Sequence, residues 1–137
     1  MCVDINKSWR NGLTRSLYHV LRSFHIQSAE RNDAIACDGN ICRSPTVAAM
    51  LKGLLPELTI SSAGLIGLEG QGMEPTARDV AEQHGLECGP HIARKLTSEM
   101  CRDSDLILVM ESRQKDRLSQ TFPEASGKAF LLTNWNG

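Results

Sequence analysis

The stretch that decides the fold is Cys37-Asp38-Gly39-Asn40-Ile41-Cys42-Arg43-Ser44-Pro45. A short apolar run from Asp33 to Cys37 precedes it and predicts a strand, and helical spacing from Ser44 to Leu55 follows it. Pro45 suits the first turn of that helix. The stretch therefore lies where a strand ends and a helix begins, which is where open α/β sheets bind their ligands.

Strands and helices alternate along the rest of the chain. Helical spacing covers Glu74 to His84 and Glu111 to Thr121. Further strands are predicted at Leu58–Ala63, Leu106–Met110 and Ala129–Leu132. This alternation predicts a parallel sheet with helices on its faces. There is no internal repeat.

The composition argues against several classes of protein. The 137 residues suit one domain, and the 41% hydrophobic content supports an ordinary core. A formal net charge of -1 argues against a nucleic acid or an anionic membrane as partner. No run approaches the roughly eighteen apolar residues of a membrane span. The five cysteines and four histidines lack the spacing of a structural zinc site, and the odd cysteine number predicts reduced thiols in a cytoplasmic protein.

Residues 1–32 differ in character from the rest of the chain. No acidic residue occurs between Ile5 and Ala29, whereas basic residues recur and apolar residues fall on one helical face. An organelle-targeting segment or a membrane-surface helix is one interpretation, and a loosely attached leader or a mispredicted start site is the favoured one. We expect an atypical N-terminal extension that is poorly ordered.

The central stretch predicts an anion-binding loop. Backbone N–H groups at the start of a helix lack partners and point, with the helix dipole, towards a bound anion. Gly39 allows a tight turn and Asn40 tolerates a left-handed conformation, so the loop can form a nest of donors sized for phosphate. Arg43 adds a planar fork that can hold two phosphate oxygens.

Cys37 is the candidate nucleophile of this loop. It lies in the same positive field, which favours the thiolate, the nucleophilic form of cysteine. A thiolate that faces a bound phosphate monoester can attack in line and form a covalent thiophosphate. Ser44 can donate its hydroxyl to that thiolate and assist both its ionisation and its later departure.

The stretch resembles the signature Cys-x-Gly-Asn-Ile-Cys-Arg-Ser-Pro of the low-molecular-weight protein-tyrosine phosphatases. The resemblance runs from about Ala34 to Trp135 and is strongest to the bacterial branch paired with tyrosine autokinases of capsule and exopolysaccharide export. Further matches in family order are Thr59-Ile60-Ser61-Ser62-Ala63-Gly64, Pro75-Thr76-Ala77, His84-Gly85-Leu86, Ala93-Arg94 and Asp105-Leu106-Ile107-Leu108-Val109-Met110-Glu111.

The resemblance implies a fold, an activity and a set of site residues. The fold is a three-layer α/β domain over residues 33–137, with a central parallel four-stranded sheet and helices on both faces. The activity is hydrolysis of phosphotyrosine on proteins, possible substrates including a bacterial tyrosine autokinase, without a metal or organic cofactor. Cys37 is implied as nucleophile, Arg43 as phosphate clamp, and Cys42 as a redox partner that forms a reversible disulfide with Cys37. The implied phosphate-binding loop is Asp38, Gly39, Asn40, Ile41, Cys42, Arg43 and Ser44.

Three departures from the family pattern produce further expectations. The family's general acid, an aspartate in an Asp-Pro loop after the strand matched by Ala129–Leu132, is not in this chain. Neither is the final helix, so we expect a domain truncated at its C-terminal edge and turnover impaired by about 10²- to 10⁴-fold. The run Ala34-Ile35-Ala36 is short for a central strand and predicts poor anchoring. Asp38 opposes both the thiolate and a dianionic ligand unless it faces solvent.

Two functions of other classes stay open. A non-catalytic phosphate- or phosphotyrosine-binding remnant keeps the pocket without turnover; the missing acid favours it and the retained Cys37 disfavours it. A thioredoxin-coupled arsenate reductase needs two relay cysteines, for which Cys88 and Cys101 are available, but Ile41 and Pro45 side with the phosphatases.

The remaining polar residues receive structural interpretations. His84 and His91 are candidate acid–base groups, but helix capping is the favoured interpretation of His84. The loop Leu65 to Met73 is expected to flank the pocket. Four arginines are predicted to be solvated surface charges that mark no binding groove: Arg78, Arg94, Arg102 and Arg113.

Overall fold

The structure, a computed structural model, describes residues 32–56 and 58–132. A four-stranded parallel sheet has the order β2-β1-β3-β4. Its strands are β1 (Asn32–Cys37), β2 (Thr59–Gly64), β3 (Leu106–Val109) and β4 (Ala129–Leu131). The helices are α1 (Arg43–Leu54), α2 (Pro75–Gln83), α3 (Ser98–Asp103) and α4 (Ser112–Thr121), with a 3-10 turn at Pro123–Ala125.

Apolar clusters lie on both faces of the sheet because successive strand residues point to opposite sides. On one face, Ile35 and Leu108 pack with Leu51 of α1. On the other, Ala36 and Ile107 share a cluster with residues of α3 and α4. The three-layer α/β architecture with a parallel four-stranded sheet is therefore confirmed.

The expectation that β1 is poorly anchored is wrong. The strand has six residues, pairs with β2 along its whole length and pairs with β3 from Asp33 to Ala36. Ala34, Ile35 and Ala36 are fully buried. Small side chains suffice here because hydrogen bonds on both edges and larger neighbours in β3 hold the strand.

Two short elements were absent from the sequence-based prediction. Helix α3 has only six residues, too few for an apolar period, and its start is marked by Thr97, whose side chain accepts a hydrogen bond from Met100 N at 3.2 Å. The 3-10 turn follows α4 directly and begins with a proline. The predicted bounds of the other elements differ from the observed ones by at most one residue at either end.

Helix caps fix the two loops that approach the carboxyl edge of the sheet. The Glu74 carboxylate accepts from Thr76 N and Ala77 N at the start of α2, and these backbone bonds lower the pKa of Glu74. At the start of α4, Gln114 Oε1 accepts from Met110 N and Glu111 N. Glu111 is thereby held at a defined position just beyond β3.

One prediction lies outside the described residues, and two observations, on membrane spans and on metal ligands, hold within them. The extension predicted at residues 1–32 lies outside the described part of the chain except for Asn32, which already belongs to β1. Among residues 32–56 and 58–132, no helix has the length and apolarity to cross a membrane. The same residues contain no cluster of three or more potential metal ligands.

Candidate active site

The loop between β1 and α1, residues 37–43, is called the phosphate loop below. Every carbonyl oxygen from residue 37 to residue 42 accepts a hydrogen bond from a group beyond the loop. The donors, in loop order, are Leu65 N, Ile66 N with Gly67 N, Leu68 N, His91 Nε2, Glu74 N, and Thr46 N with its hydroxyl. Because the carbonyls are engaged on the outside, the inner wall is left to amide N–H groups, as an anion nest requires.

Asn40 locks the conformation of the loop. Among the described residues it is the one non-glycine residue with positive φ, at 61°, and it is fully buried. Its Nδ2 donates to Ser44 Oγ at 2.9 Å and to Ser62 Oγ at 3.0 Å, while its Oδ1 accepts from Arg94 N at 3.0 Å. The side-chain amide of Asn40 therefore makes hydrogen bonds with three neighbouring groups while the backbone of this residue stays left-handed.

His91 supports the same turn from outside. Its Nε2 lies 2.6 Å from Asn40 O. A carbonyl oxygen only accepts, so this nitrogen carries a proton and donates it. His91 thus holds the loop backbone and does not face the cavity as an acid–base group.

The sulfur of Cys37 lies at the base of the loop with two polar neighbours. Ser44 Oγ is 2.9 Å from Sγ, and Asn40 N donates to Sγ at 3.3 Å. Ser44 Oγ already accepts from Asn40 Nδ2, so its own proton is free to point at the sulfur. A hydroxyl and an amide N–H therefore both lie within hydrogen-bond distance of the sulfur.

An ionic chain of four side chains crosses the mouth of the loop. Arg43 donates to Glu111 Oε1 at 2.6 Å, and Arg113 Nε donates to Glu111 Oε2 at 2.9 Å. Arg113 also donates to Asp38 Oδ2 at 2.6 Å. The hydrogen bond from Arg43 lowers the pKa of Glu111, and the bond to Asp38 is the main cause that raises the pKa of Arg113.

The ionic contacts between these four side chains correct two expectations. Arg113 is not an isolated surface charge, because it pairs with two carboxylates at the mouth of the loop. Asp38 does not simply face solvent: one oxygen is bonded to Arg113, and the other is buried without a hydrogen-bond partner among the described residues. No sequence pattern indicates this pairing, because Asp38 and Arg113 are 75 positions apart.

The predicted loop residues, apart from the fully buried Ser44, line one open cavity of about 320 Å³. Its lining consists of residues 37–43 and Glu111. Glu111 was not predicted as a site residue. A usable signal existed, because Glu111 follows the carboxyl end of β3, the strand next to β1, and parallel neighbours end at the same edge of a sheet.

The loop after β2 flanks the phosphate loop, as expected. Leu68 N donates to Gly39 O at 2.9 Å. A Cβ at Gly39 would lie 3.2 Å from Leu68 Cδ1, so a larger residue at position 39 would require the Leu68 side chain to shift by a few tenths of an ångström. The side chain of Leu68 is exposed, and the half-buried Ile41 is an apolar residue of the phosphate loop.

The other cysteines occupy different environments. Cys37 carries a free thiol, whereas Cys42 is in a disulfide that does not involve Cys37. Cys88 is half-buried in a loop, and Cys101 is fully buried in α3. The expectation of reduced thiols is therefore wrong for Cys42, and the predicted redox pairing of Cys37 with Cys42 stays a prediction.

Comparisons with known proteins agree with this geometry. The family described as "Low molecular weight phosphotyrosine protein phosphatase" matches residues 34–137. The "Probable low molecular weight protein-tyrosine-phosphatase AmsI" of Erwinia amylovora is 48% identical over 101 residues, which cover 74% of this chain and 70% of the relative. Wzb of Escherichia coli strain K12, also named a low molecular weight protein-tyrosine-phosphatase, is 46% identical over 105 residues, covering 77% and 71%. The structure of Vibrio vulnificus Wzb in complex with benzylphosphonate superposes with a TM-score of 0.74 at 38% identity, covering 77% of this chain and 75% of that one.

Proposed function

Because the chain belongs to the low molecular weight phosphotyrosine protein phosphatase family, we propose that it hydrolyses phosphotyrosine on proteins through a phosphocysteine at Cys37. Members of this family are cysteine-dependent protein-tyrosine phosphatases. The observation that carries the proposal is the sulfur of Cys37 at the base of an anion-sized cavity, with a hydroxyl and an amide N–H directed at it. The site residues and their roles are part of the proposal.

In the first step, the inner N–H groups of the phosphate loop and Arg43 hold the phosphate oxygens of the substrate. The Cys37 thiolate attacks phosphorus, the S–P bond forms, and the P–O bond to the tyrosine oxygen breaks with its electron pair on that oxygen. In the second step, water attacks phosphorus and releases inorganic phosphate. The departing Cys37 thiolate is stabilised by Ser44 and by Asn40 N–H.

Proton supply to the tyrosine oxygen limits the first step. The two carboxylates that line the cavity, Asp38 and Glu111, are each paired with arginine, and the pKa of Glu111 is lowered by Arg43. The lowered pKa makes Glu111 unsuited to donate a proton near neutral pH, and Asp38 is held in an ion pair with Arg113. We propose that turnover of phosphotyrosine by the described residues alone is impaired by about 10²- to 10⁴-fold, the usual cost of losing a general acid.

The arsenate reductase alternative fits the structure poorly. A thiol relay needs cysteines that can reach the nucleophile and ionise. Cys101 is fully buried in an apolar cluster, and burial raises its pKa to about 11. Cys88 lies in a loop where burial also raises its pKa.

The binding-module alternative shares the pocket and differs only in turnover. The family relationship and the hydrogen bonds to the Cys37 sulfur favour the enzyme, because a pocket that only binds phosphate does not need an activated thiol. The two are separated by the test below.

We further propose a substrate, a location and a domain arrangement. The similarity to the bacterial branch makes a tyrosine autokinase the first substrate to test. A cytoplasmic location supports the reduced Cys37 that the mechanism requires. The phosphatase domain includes all of β1 from Asn32 and continues to residue 137, residues 1–31 form an extension, and Cys42, once its present disulfide is reduced, serves as redox partner of Cys37.

The test is rapid-mixing kinetics with p-nitrophenyl phosphate, whose leaving group departs readily as an anion. The proposal predicts a burst of nitrophenolate equal to the enzyme concentration, followed by turnover, and a phosphorylated Cys37 detectable by mass spectrometry after acid quenching. The Cys88→Ser variant is the matched control and should show the same burst. Phosphate binding without any burst would support the binding module instead.

A further inference from the structure

The wall of the proposed phosphate pocket contains more acidic than basic side chains. Asp38 and Glu111 line the cavity, and Arg43 is the one cationic side chain lining it within the described part of the chain. The mechanism adds a thiolate at Cys37 and a phosphate dianion to the same small volume. Two carboxylates in the wall of the same cavity would repel both the thiolate and the phosphate dianion unless their charge is compensated.

Arg113, just outside the cavity lining, makes contact with both carboxylates. Its guanidinium donates to Asp38 Oδ2 at 2.6 Å and to Glu111 Oε2 at 2.9 Å. Glu111 Oε1 in turn accepts from Arg43 at 2.6 Å. One planar fork on α4 therefore joins the residue next to the nucleophile with the residue that orients the phosphate clamp.

Asp38 depends on this contact more than Glu111 does. Its second oxygen, Oδ1, is buried and has no hydrogen-bond partner among the described residues, so Arg113 supplies the ionic partner of this carboxylate there. Only 25% of the Asp38 side chain is exposed, compared with 61% of Arg113. Without Arg113, a largely covered negative charge would stand beside Cys37 with little water to screen it.

We propose that Arg113 is a positioning residue that keeps the pocket receptive to a phosphate dianion. It does so by neutralising Asp38 and by holding Glu111 in the orientation that fixes Arg43. This inference rests on the proposed function, because it concerns the affinity of the same pocket for phosphate. Arg113 is not a catalytic residue, since it acts on the pocket through Asp38 and Glu111.

The test measures how well inorganic phosphate protects Cys37 of the full chain from iodoacetamide. The Arg113→Gln variant should need about tenfold more phosphate for half-protection, as expected for an uncompensated charge near a partly solvated anion site. Arg113→Lys, which keeps the charge but loses the two-sided fork, should fall between this variant and the unsubstituted protein. Arg117→Gln is the matched control, because Arg117 is exposed on the same helix and has no ion pair among the described residues.

A second substitution makes the result specific to Asp38. In the double variant Arg113→Gln with Asp38→Asn, phosphate protection should return to within about threefold of the unsubstituted protein, because the charge that Arg113 compensates is gone. Asp38→Asn alone should bind phosphate at least as tightly as the unsubstituted protein. A merely structural role for Arg113 predicts no recovery in the double variant.

The outcomes separate this inference from the function on which it rests. If Arg113→Gln needs no more phosphate than Arg117→Gln, or if Asp38→Asn fails to restore the double variant, the inference is wrong and the phosphatase proposal stands. If phosphate does not protect Cys37 even in the unsubstituted protein, the proposed function and this inference both fail.

Discussion

Cys37 and Cys101 are both buried cysteines with free thiols, with 4% and 0% of their surface exposed, yet their surroundings are opposite. Cys37 ends β1 and receives polar contacts from Ser44 Oγ and Asn40 N. Cys101 lies within α3 and belongs to an apolar cluster that includes Ile107 and Leu118. Burial raises the pKa of the Cys101 thiol to about 11.

The difference teaches that burial alone does not decide what a cysteine does. At Cys101 the backbone N–H donates a hydrogen bond to Thr97 O at 3.1 Å within the helix, and the side chain belongs to an apolar cluster. At Cys37 the chain leaves a strand and has not yet completed a helical turn, so donors remain available to an anion. The position in the fold, rather than the residue type, therefore supports the proposed role of Cys37 as nucleophile and makes Cys101 a small core side chain.

The largest expected difference between the two thiols is in activity. Cys37→Ser should lower the rate of p-nitrophenyl phosphate hydrolysis by at least about 10⁴-fold, because it replaces the attacking atom. Cys101→Ser should leave the rate per folded molecule within about threefold, because it lies in the core away from the cavity. The measurement is initial rates, with circular dichroism to confirm folding. Equal losses in both variants would show that Cys37 acts only through the fold.

The second prediction concerns the cation that distinguishes the surroundings of Cys37. Arg43→Lys keeps a positive charge but removes the fork that holds two phosphate oxygens. We expect kcat/KM for p-nitrophenyl phosphate to fall by about 10²- to 10³-fold, comparable to the loss of one oxyanion donor. Arg117→Lys on α4 is the control for a change of the same chemistry away from the pocket, and a similar loss there would contradict the assignment.

The third prediction concerns the pH dependence of stability at Cys101. Its pKa is raised from 9.0 to about 11 in the folded protein, so the unfolded chain releases this proton first as pH rises. The contribution of the protonated Cys101 thiol to the free energy of unfolding is therefore present below about pH 9. It decreases by about 2 kcal/mol as pH increases towards about 11. Urea unfolding near pH 8 and near pH 10.5 measures how much of the free energy of unfolding is lost between the two pH values. This loss should be about 2 kcal/mol smaller for Cys101→Ala than for the unsubstituted protein. Cys88→Ala is the control, and an identical loss in all three proteins would contradict the prediction.

The smallest expected effect separates the two roles of Asn40 in activating Cys37. Asn40→Gly keeps the left-handed backbone at φ 61° but removes the side-chain bonds to Ser44, Ser62 and Arg94 N. We expect a loss of about tenfold in kcat, because the Ser44 hydroxyl is no longer directed at the sulfur. Asn40→Ala should lose more than Asn40→Gly, since it also strains the backbone. Initial rates decide this, and equal rates for the two variants would show that the backbone conformation is not limiting.

The sequence predicted features that depend on neighbouring residues. The strand before Cys37, the helix after it and the anion nest between them follow from local patterns within one short segment. The expectation that β1 is poorly anchored is wrong because hydrogen bonds to β2 and β3 hold this strand. The residues Ala34-Ile35-Ala36 do not themselves indicate which strands pair with them.

Contacts between distant segments could not be predicted in the same way. Arg113 and Asp38 meet only because β3 and β1 are neighbours, so their carboxyl ends share an edge of the sheet. His91 reaches Asn40 O across 51 positions through a loop without regular structure. A single sequence gives residue types and periods, whereas these pairs depend on which loops the topology brings together.

The most direct test of the account compares both cysteines within one molecule. The native protein is treated with iodoacetamide near neutral pH, and the modification of Cys37 and Cys101 is quantified by mass spectrometry with and without inorganic phosphate. The account predicts rapid modification of Cys37 that phosphate suppresses, and no modification of Cys101 until the protein unfolds. Equal modification of the two thiols, or modification of Cys37 that phosphate leaves unchanged, would contradict it.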